Sequence, residues 1–226
     1  MNVLVVAAHP DDELLGCGGT VARLARKGHS VYLSILGEGI TSRHKERSGA
    51  DLAAIQSLHA CSRKVAELLG AKDLSLHGLP DNRFDSIPLL EVIQLVEELV
   101  ERWRPVAVYT HHGGDLNADH RVVSQAVLTA TRPTAGHPVR DLYMFEIASS
   151  TEWAFQQLSP VFKPNVFIEI SQTLHLKLKG MEQYESEVRS FPHPRSKEAL
   201  TAIAQRWGSV AGLKAAEAFE LVRSIR

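Results

Sequence analysis

Residues 2–8 (Asn-Val-Leu-Val-Val-Ala-Ala) form a short, valine-rich run that stops at His9-Pro10-Asp11-Asp12-Glu13. A brief apolar run of this kind reads as a buried β-strand. A parallel strand ends where ligands bind, at its carboxyl edge. Here that edge receives an imidazole and three carboxylates within five residues. So much acid beside a core strand is costly unless something positive neutralises it. A divalent cation is the simplest candidate.

The following residues alternate strand and helix patterns. Strands are predicted at 2–8, 31–36, 73–77, 105–110 and 141–147, and helices at 17–27, 44–70, 87–103 and 118–131. The helix over 87–103 carries Leu89, Val92, Ile93, Val96, Leu99 and Val100 on one face, at the 3.6-residue period. Gly28 and Gly70 stand where helix C-cap glycines belong. Alternation of this kind implies right-handed crossovers. The expected fold is therefore α/β, a Rossmann-like, mainly parallel sheet with helices on both faces. Past residue 150 the rhythm changes. One more strand is expected within 161–170, then helices at about 171–189, 195–206 and 211–224, packing near the site. Without an internal repeat or low-complexity linker, 1–226 reads as one domain.

Composition narrows the function. The chain has 226 residues, 44% of them hydrophobic, which suffices for a sizeable core. A net charge near −1 argues against a nucleic-acid partner. Cys17 and Cys61 make neither a metal-type pair nor a disulfide framework, as expected in a reducing compartment. No basic segment leads into a long apolar one at the start, and no stretch approaches the ~20 apolar residues that span a bilayer. These features predict a cytoplasmic protein without a transmembrane segment; a homo-oligomer stays open.

A second polar cluster follows strand 105–110 directly: His111-His112-Gly113-Gly114-Asp115-Leu116-Asn117-Ala118-Asp119-His120. Both clusters thus fall at carboxyl ends of predicted parallel strands. Catalytic zinc takes three protein ligands and keeps a position for water. His9 and Asp12 can aim at one point across a proline-bent turn, with a third ligand from the second cluster. Simpler roles stay open. Asp11 or Asp12 can cap the next helix, Asn117 or Asp119 can cap the helix near His120, and His111 and His112 can be ordinary loop residues.

His9-Pro10-Asp11-Asp12-Glu13, preceded by Ala-Ala and followed by Gly-Cys-Gly-Gly-Thr, resembles the signature of the LmbE/PIG-L-like zinc-dependent N-deacetylases. Asn117-Ala118-Asp119-His120 is similar to that family's second motif, which ends in Asp-His. The resemblance implies that His9, Asp12 and His120 bind Zn²⁺ (or Fe²⁺ or Co²⁺), with Asp11 as general base. It implies removal of acetyl groups from small N-acetylated amino sugars or their conjugates. In related enzymes a His or Tyr from the C-terminal third serves the developing oxyanion, and the similar stretch 177–187 puts Tyr184 there, with Glu187 replacing the family's Gln. Many relatives carry Arg-x-x-Glu near the second helix; Leu58–Arg63 does not show it cleanly, so Arg43 or Arg47 takes that substrate contact. Relatives often have His where this chain has Asn117, and Asn can donate to a carbonyl or hydroxyl but cannot transfer a proton near neutral pH.

Two further segments suit a substrate-binding edge: His193 and Arg195 in Phe191-Pro192-His193-Pro194-Arg195-Ser196, and Asp81-Asn82-Arg83. A rigid connection and an ordinary turn are the alternatives. Arg195 can pair with a substrate phosphate or carboxylate. Two other functions compete with sugar deacetylation. One is a metal-dependent amidase on a non-sugar N-acyl substrate. The other is a nucleotide-binding module using Gly16-x-Gly18-Gly19, disfavoured by adjacent acids and the missing G-x-G-x-x-G spacing.

Overall fold

A computed structural model describes residues 1–43 and 52–226. Its strands are β1 (Asn2–Ala7), β2 (Ser30–Gly37), β3 (Asp73–Leu79), β4 (Ala107–His111), β5 (Asp141–Phe145), β6 (Val166–Glu169) and β7 (Ala216–Ser224). They form one sheet in the order β3-β2-β1-β4-β5-β7-β6. The first five pair in parallel, and β7 lies antiparallel between β5 and β6. The helices are α1 (Asp12–Arg26), α2 (Leu52–Leu69), α3 (Leu89–Trp103), α4 (Ala118–Ala130), α5 (Leu174–Gln183) and α6 (Lys197–Val210). This is the α/β, mainly parallel sheet that the alternation predicts. None of the described helices is long and apolar enough to cross a membrane.

The unbroken apolar character of β1 follows from burial on both faces. Val3 and Val5 point into one core with Leu14 and Leu15 of α1, Val65 of α2 and Met181 of α5. Leu4, Val6 and Ala8 point into the other, against Val96 and Val100 of α3 and Val127 of α4. The predicted face of α3 is the one buried: Val92, Ile93, Val96, Leu99 and Val100. Gly28 and Gly70 adopt φ of +80° and +74° just past α1 and α2, where a side chain would be strained.

The C-terminal segment departs from expectation. Residues 211–224 read as a helix because Ala, Glu and Leu dominate, yet 216–224 form β7. Two open strand edges, those of β5 and β6, accept its backbone, and tertiary pairing overrides helix propensity. The other elements of this third keep their type but shift their bounds: β6, α5 and α6 are shorter than, or offset from, 161–170, 171–189 and 195–206. Helix α1 starts earlier than expected, at Asp12, and is kinked at Cys17, whose φ is −150°. Of the helix expected over 44–70, residues 44–51 lie outside the described residues.

The glycines of 16–19 are part of α1 and buried, which removes the phosphate-loop reading. A Cβ on Gly16 would run into the Phe145 ring. The Gly19 and Thr20 N–H groups already donate to the Glu217 carboxylate at 3.0 and 2.7 Å.

Candidate active site

From β1 the chain crosses to β2 on one side and later reaches β4 on the other. The loops leaving β1 and β4 therefore diverge, and a crevice opens at that switch point. Both polar clusters lie there. The pocket, about 190 Å³, is walled among others by His9, Asp11, Asp12, Asn117, His120 and Arg195.

Asp11 turns the chain from β1 into α1 with φ 103°, a conformation costly for a residue with a side chain. Its N–H donates to Glu13 Oε2 at 3.0 Å, and Leu15 N–H donates to its carbonyl at 2.8 Å. The turn sends neighbouring carboxylates to different partners: Asp12 to the histidines, Asp11 to Arg195. Neither aspartate caps α1 through its side chain.

Three side chains converge on one point. Asp12 Oδ2 lies 3.3 Å from His9 Nδ1 and 3.2 Å from His120 Nε2, and a ligand atom from each of the three falls within 4.8 Å of the others. Donor atoms around a tetrahedral zinc at ~2.0–2.1 Å stand about 3.3 Å apart. Both separations from Asp12 match that spacing, and two nitrogens with one carboxylate oxygen suit zinc. The far nitrogen of each ring meets another carboxylate, the usual device for orienting a metal-binding imidazole. His9 Nε2 lies 2.8 Å from Asp119 Oδ2 and 3.4 Å from Asp81 Oδ1. His120 Nδ1 lies 3.0 Å from Asp115 Oδ1, close enough to pair with the ring's charge though off its N–H direction. Asp115 is itself held by the Ser150 and Thr151 hydroxyls and the Asn117 N–H.

Burial opposes charge on His9, but its hydrogen bonds to Asp119 and Asp12 outweigh it and push the pKa up to about 10. His120 rises to about 9 in the same way, through Asp12 and Asp115. Burial also resists ionisation of Asp12, and the surrounding imidazoles, His120 first, hold it well below the usual carboxylate range. The two charged imidazoles thus share Asp12 between them, and Asp119 and Asp115 supply the further negative charge.

Asp11 behaves in the opposite way. It is 2% exposed. Arg195 Nη1 lies 2.8 Å from its Oδ2 and favours the carboxylate, but burial together with Asp12, Glu187 and Glu13 prevails and raises its pKa well above the ordinary value. Glu13 is pushed up to about 7 by burial, against the Tyr184 hydrogen bond. His111 is pulled down to about 3 by burial and by His120, whose ring it stacks on at 4.0 Å. It is therefore neutral, and its Nε2 accepts the Ala8 N–H at 2.8 Å.

The remaining expected site residues separate. Asn117 lines the pocket and also caps α4, its Oδ1 accepting the Asp119 N–H at 2.8 Å. Its Nδ2 donates to Asn82 at 3.0 Å, so what it offers a ligand is N–H. Arg195 also lines the pocket, bonded to Asp11, to Glu187 at 3.2 Å and to Ser149 at 2.9 Å. His193 lies outside it, in a neighbouring depression, and its Nδ1 accepts the Arg195 N–H. The Arg43 backbone ends a one-turn 3-10 helix at Thr41–Arg43; its side chain, like all of Arg47, lies outside the described residues.

Tyr184 requires a correction. It is 0% exposed and does not wall the pocket. At the end of α5 it turns inward beneath α1 and α2, its hydroxyl donating to Glu13 at 2.6 Å and lying 3.0 Å from the Ser62 hydroxyl. It cannot meet an oxyanion from there; it fixes Glu13, which holds the Asp11 backbone. The ordering roles of Asp115 and Asp119 were missed, although both stand in the second cluster. Glu187 reads in the sequence only as a family departure, yet it walls the pocket and pairs with Arg195. Ser149 and Ser150, after β5, carry no distinguishing sequence signal.

Residues 4–131 match the family model described as PIG-L, GlcNAc-PI de-N-acetylase. The chain is 33% identical over 191 residues to an uncharacterized deacetylase, YaiS, of Escherichia coli, covering 82% of this chain and 91% of that one. It is 28% identical over 239 residues to the diacetylchitobiose deacetylase of Thermococcus kodakarensis, covering 99% and 84%. The crystal structure of GalB, the 4-carboxy-2-hydroxymuconate hydratase of Pseudomonas putida, superposes with a TM-score of 0.76 at 19% identity, covering 100% and 97%. That last likeness shows the fold alone. One frame carries more than one reaction, so the chemistry must be argued from the site.

Proposed function

Because this chain belongs to the PIG-L (GlcNAc-PI de-N-acetylase) family of hydrolases, we propose that it hydrolyses the acetamide of an N-acetylated amino sugar or its conjugate. His9, Asp12 and His120 would hold a divalent cation, zinc first and Fe²⁺ or Co²⁺ as substitutes. Bound there, such a cation supplies Lewis acidity, making water easier to deprotonate and polarising an acyl carbonyl. Asp119 and Asp115 keep the two rings in register for it.

Asp11 carries the proton. Its carboxylate takes one from the attacking water as the new C–O bond forms at the acetyl carbon. It returns that proton to the sugar nitrogen as the C–N bond breaks, leaving acetate and a free amine. A carboxyl that burial pushes toward its neutral form and Arg195 pulls toward its charged form is suited to take a proton and to return it. Arg195 anchors Asp11 Oδ2, and Asn117 offers N–H to the carbonyl or to a sugar hydroxyl. Ser42, Asp81, Asn82, Ser149 and Ser150 outnumber the apolar walls Pro10, Ile40 and Leu58, which supports a hydroxyl-rich substrate over a purely apolar acyl amide.

The observation carrying this reading is the convergence of His9 Nδ1 and His120 Nε2 on Asp12 Oδ2, at 3.3 and 3.2 Å, beside a separately anchored Asp11. Acetate release with added zinc, across free, nucleotide-linked and lipid-linked N-acetylhexosamines, tests it. Release from at least one is expected. A zinc-loaded protein that hydrolyses only non-sugar N-acyl amides would replace it with the amidase.

A further inference from the structure

A second hollow, of about 140 Å³, lies between α6, β7, the start of α1 and the segment 146–152 that follows β5. It shares no wall with the active-site pocket. Ser149 and Ser150 face that pocket, whereas Ala148 and Glu152 of the same segment face the hollow. Most of its lining is apolar: Leu15 of α1, Leu200, Ile203 and Ala204 of α6, Ala216 and Ala218 of β7. Lys177 and Glu217 also wall it, but they answer each other's charge at 2.6 Å.

The remaining charge is not balanced. Glu146, the first residue after β5, walls both this hollow and a wider one of about 410 Å³. Trp207 Nε1–H donates to its Oε1. Among the described residues nothing donates to its Oε2, and no Lys, Arg or His lies within ion-pair reach. Burial raises its pKa above the ordinary glutamate value, against the Trp207 bond, and the Glu152 carboxylate adds to the rise. Glu152 is already engaged, taking the Ser149 and Ser150 N–H groups. Arg206 also walls both hollows, but its guanidinium lies exposed over the Trp207 ring at 4.2 Å, where water screens it. A carboxylate drawn out of water beside apolar walls is costly until a cation meets it.

Size selects the rest of the ligand. An apolar cavity of about 150 Å³ takes up one benzene, so a hollow of about 140 Å³ fits a single six-membered ring or a short branched chain. An anion would be repelled by Glu146 and Glu152, and a neutral hydrocarbon would leave Glu146 uncompensated. We propose that this hollow is a binding site for a small organic cation, a primary ammonium carrying one apolar ring or short branched chain. Its nitrogen sits against Glu146 Oε2, and its body fills the space among Leu200, Ile203 and Ala204. The site is separate from the crevice and does not depend on the reaction carried out there.

Calorimetric titration of the zinc-loaded protein with benzylammonium, benzyl alcohol and benzoate tests the site in the wild type, Glu146→Gln, Ala204→Phe and Asp11→Asn. The wild type should bind benzylammonium about tenfold or more tighter than benzyl alcohol, the scale of one hydrogen bond to a charged group. Benzoate should not bind. Glu146→Gln should weaken benzylammonium by a similar factor and leave benzyl alcohol unchanged. Ala204→Phe should abolish binding of both by filling the hollow; if that variant does not fold, the Glu146→Gln ratio decides alone. Asp11→Asn should bind benzylammonium as the wild type does, because Asp11 faces the other crevice. Equal benzylammonium affinity in the wild type and Glu146→Gln overturns the site, as does the absence of binding at millimolar concentration. Binding lost in Asp11→Asn but kept in Ala204→Phe would place the amine in the active-site pocket and overturn it too.

Discussion

Two clusters of buried charge adjoin α1, and they are built on opposite principles. Between α1, α5 and β7, Lys177 Nζ donates to Glu217 at 2.6 Å and to the Leu15 carbonyl at 2.8 Å, while Glu217 accepts the Gly19 and Thr20 N–H groups. One cation faces one anion there, and each has backbone partners as well. In the crevice between β1 and β4, Asp11, Asp12, Glu13, Asp81, Asp115, Asp119 and Glu187 are all buried. Arg195 and three imidazoles face them. A balanced, fully bonded pair reads as structure; a surplus of carboxylates beside an open pocket reads as a site suited to a positively charged ligand.

That contrast can be broken by mutation. The largest expected effect is on turnover. Asp11→Asn should lower kcat by about 10³-fold or more while zinc content measured by elemental analysis stays near one per chain. Normal turnover in that variant would remove Asp11 from the chemistry. Next, His120→Ala should lose both zinc and activity, as should prolonged chelation of the wild type, with zinc restoring only the latter; full zinc retention by His120→Ala would break the ligand set.

The Lys177–Glu217 pair should respond in stability instead. Glu217→Leu leaves a buried ammonium without its counter-charge and two N–H groups unpaired, and should cost about 3–5 kcal/mol in denaturant unfolding. Lys177→Met leaves Glu217 with its two N–H partners and should cost less. Equal costs would mean that the backbone bonds to Glu217 contribute nothing. The smallest effect belongs to Tyr184→Phe, about 1–3 kcal/mol from an unsatisfied Glu13. Its kcat should fall far less than that of Asp11→Asn, because the hydroxyl never reaches the pocket.

Much of the frame is legible in the residue order, because local pattern decides it. The apolar run of β1, the stripe of α3 and the glycines after α1 and α2 each follow from a few neighbouring side chains. β7 is different: its alanines and glutamates favour a helix, and only the open edges of β5 and β6 make it a strand. In the site, His9, Asp12 and His120 stand out by residue type and by their places at strand ends. Tyr184 does not reveal its direction, since that depends on how α5 lies across α1 and α2.

The sequence by itself thus determined which donor types collect at which sheet edge, since a strand end and the turn after it are encoded within about ten residues. Tertiary structure alone decided how those donors are oriented. His9 meets Asp119 across 110 positions of chain, Asp11 meets Arg195 across 184, and Tyr184 reaches Glu13 across 171. No local propensity specifies such pairs; they exist because packing both faces of one sheet brings distant loops to the same crevice.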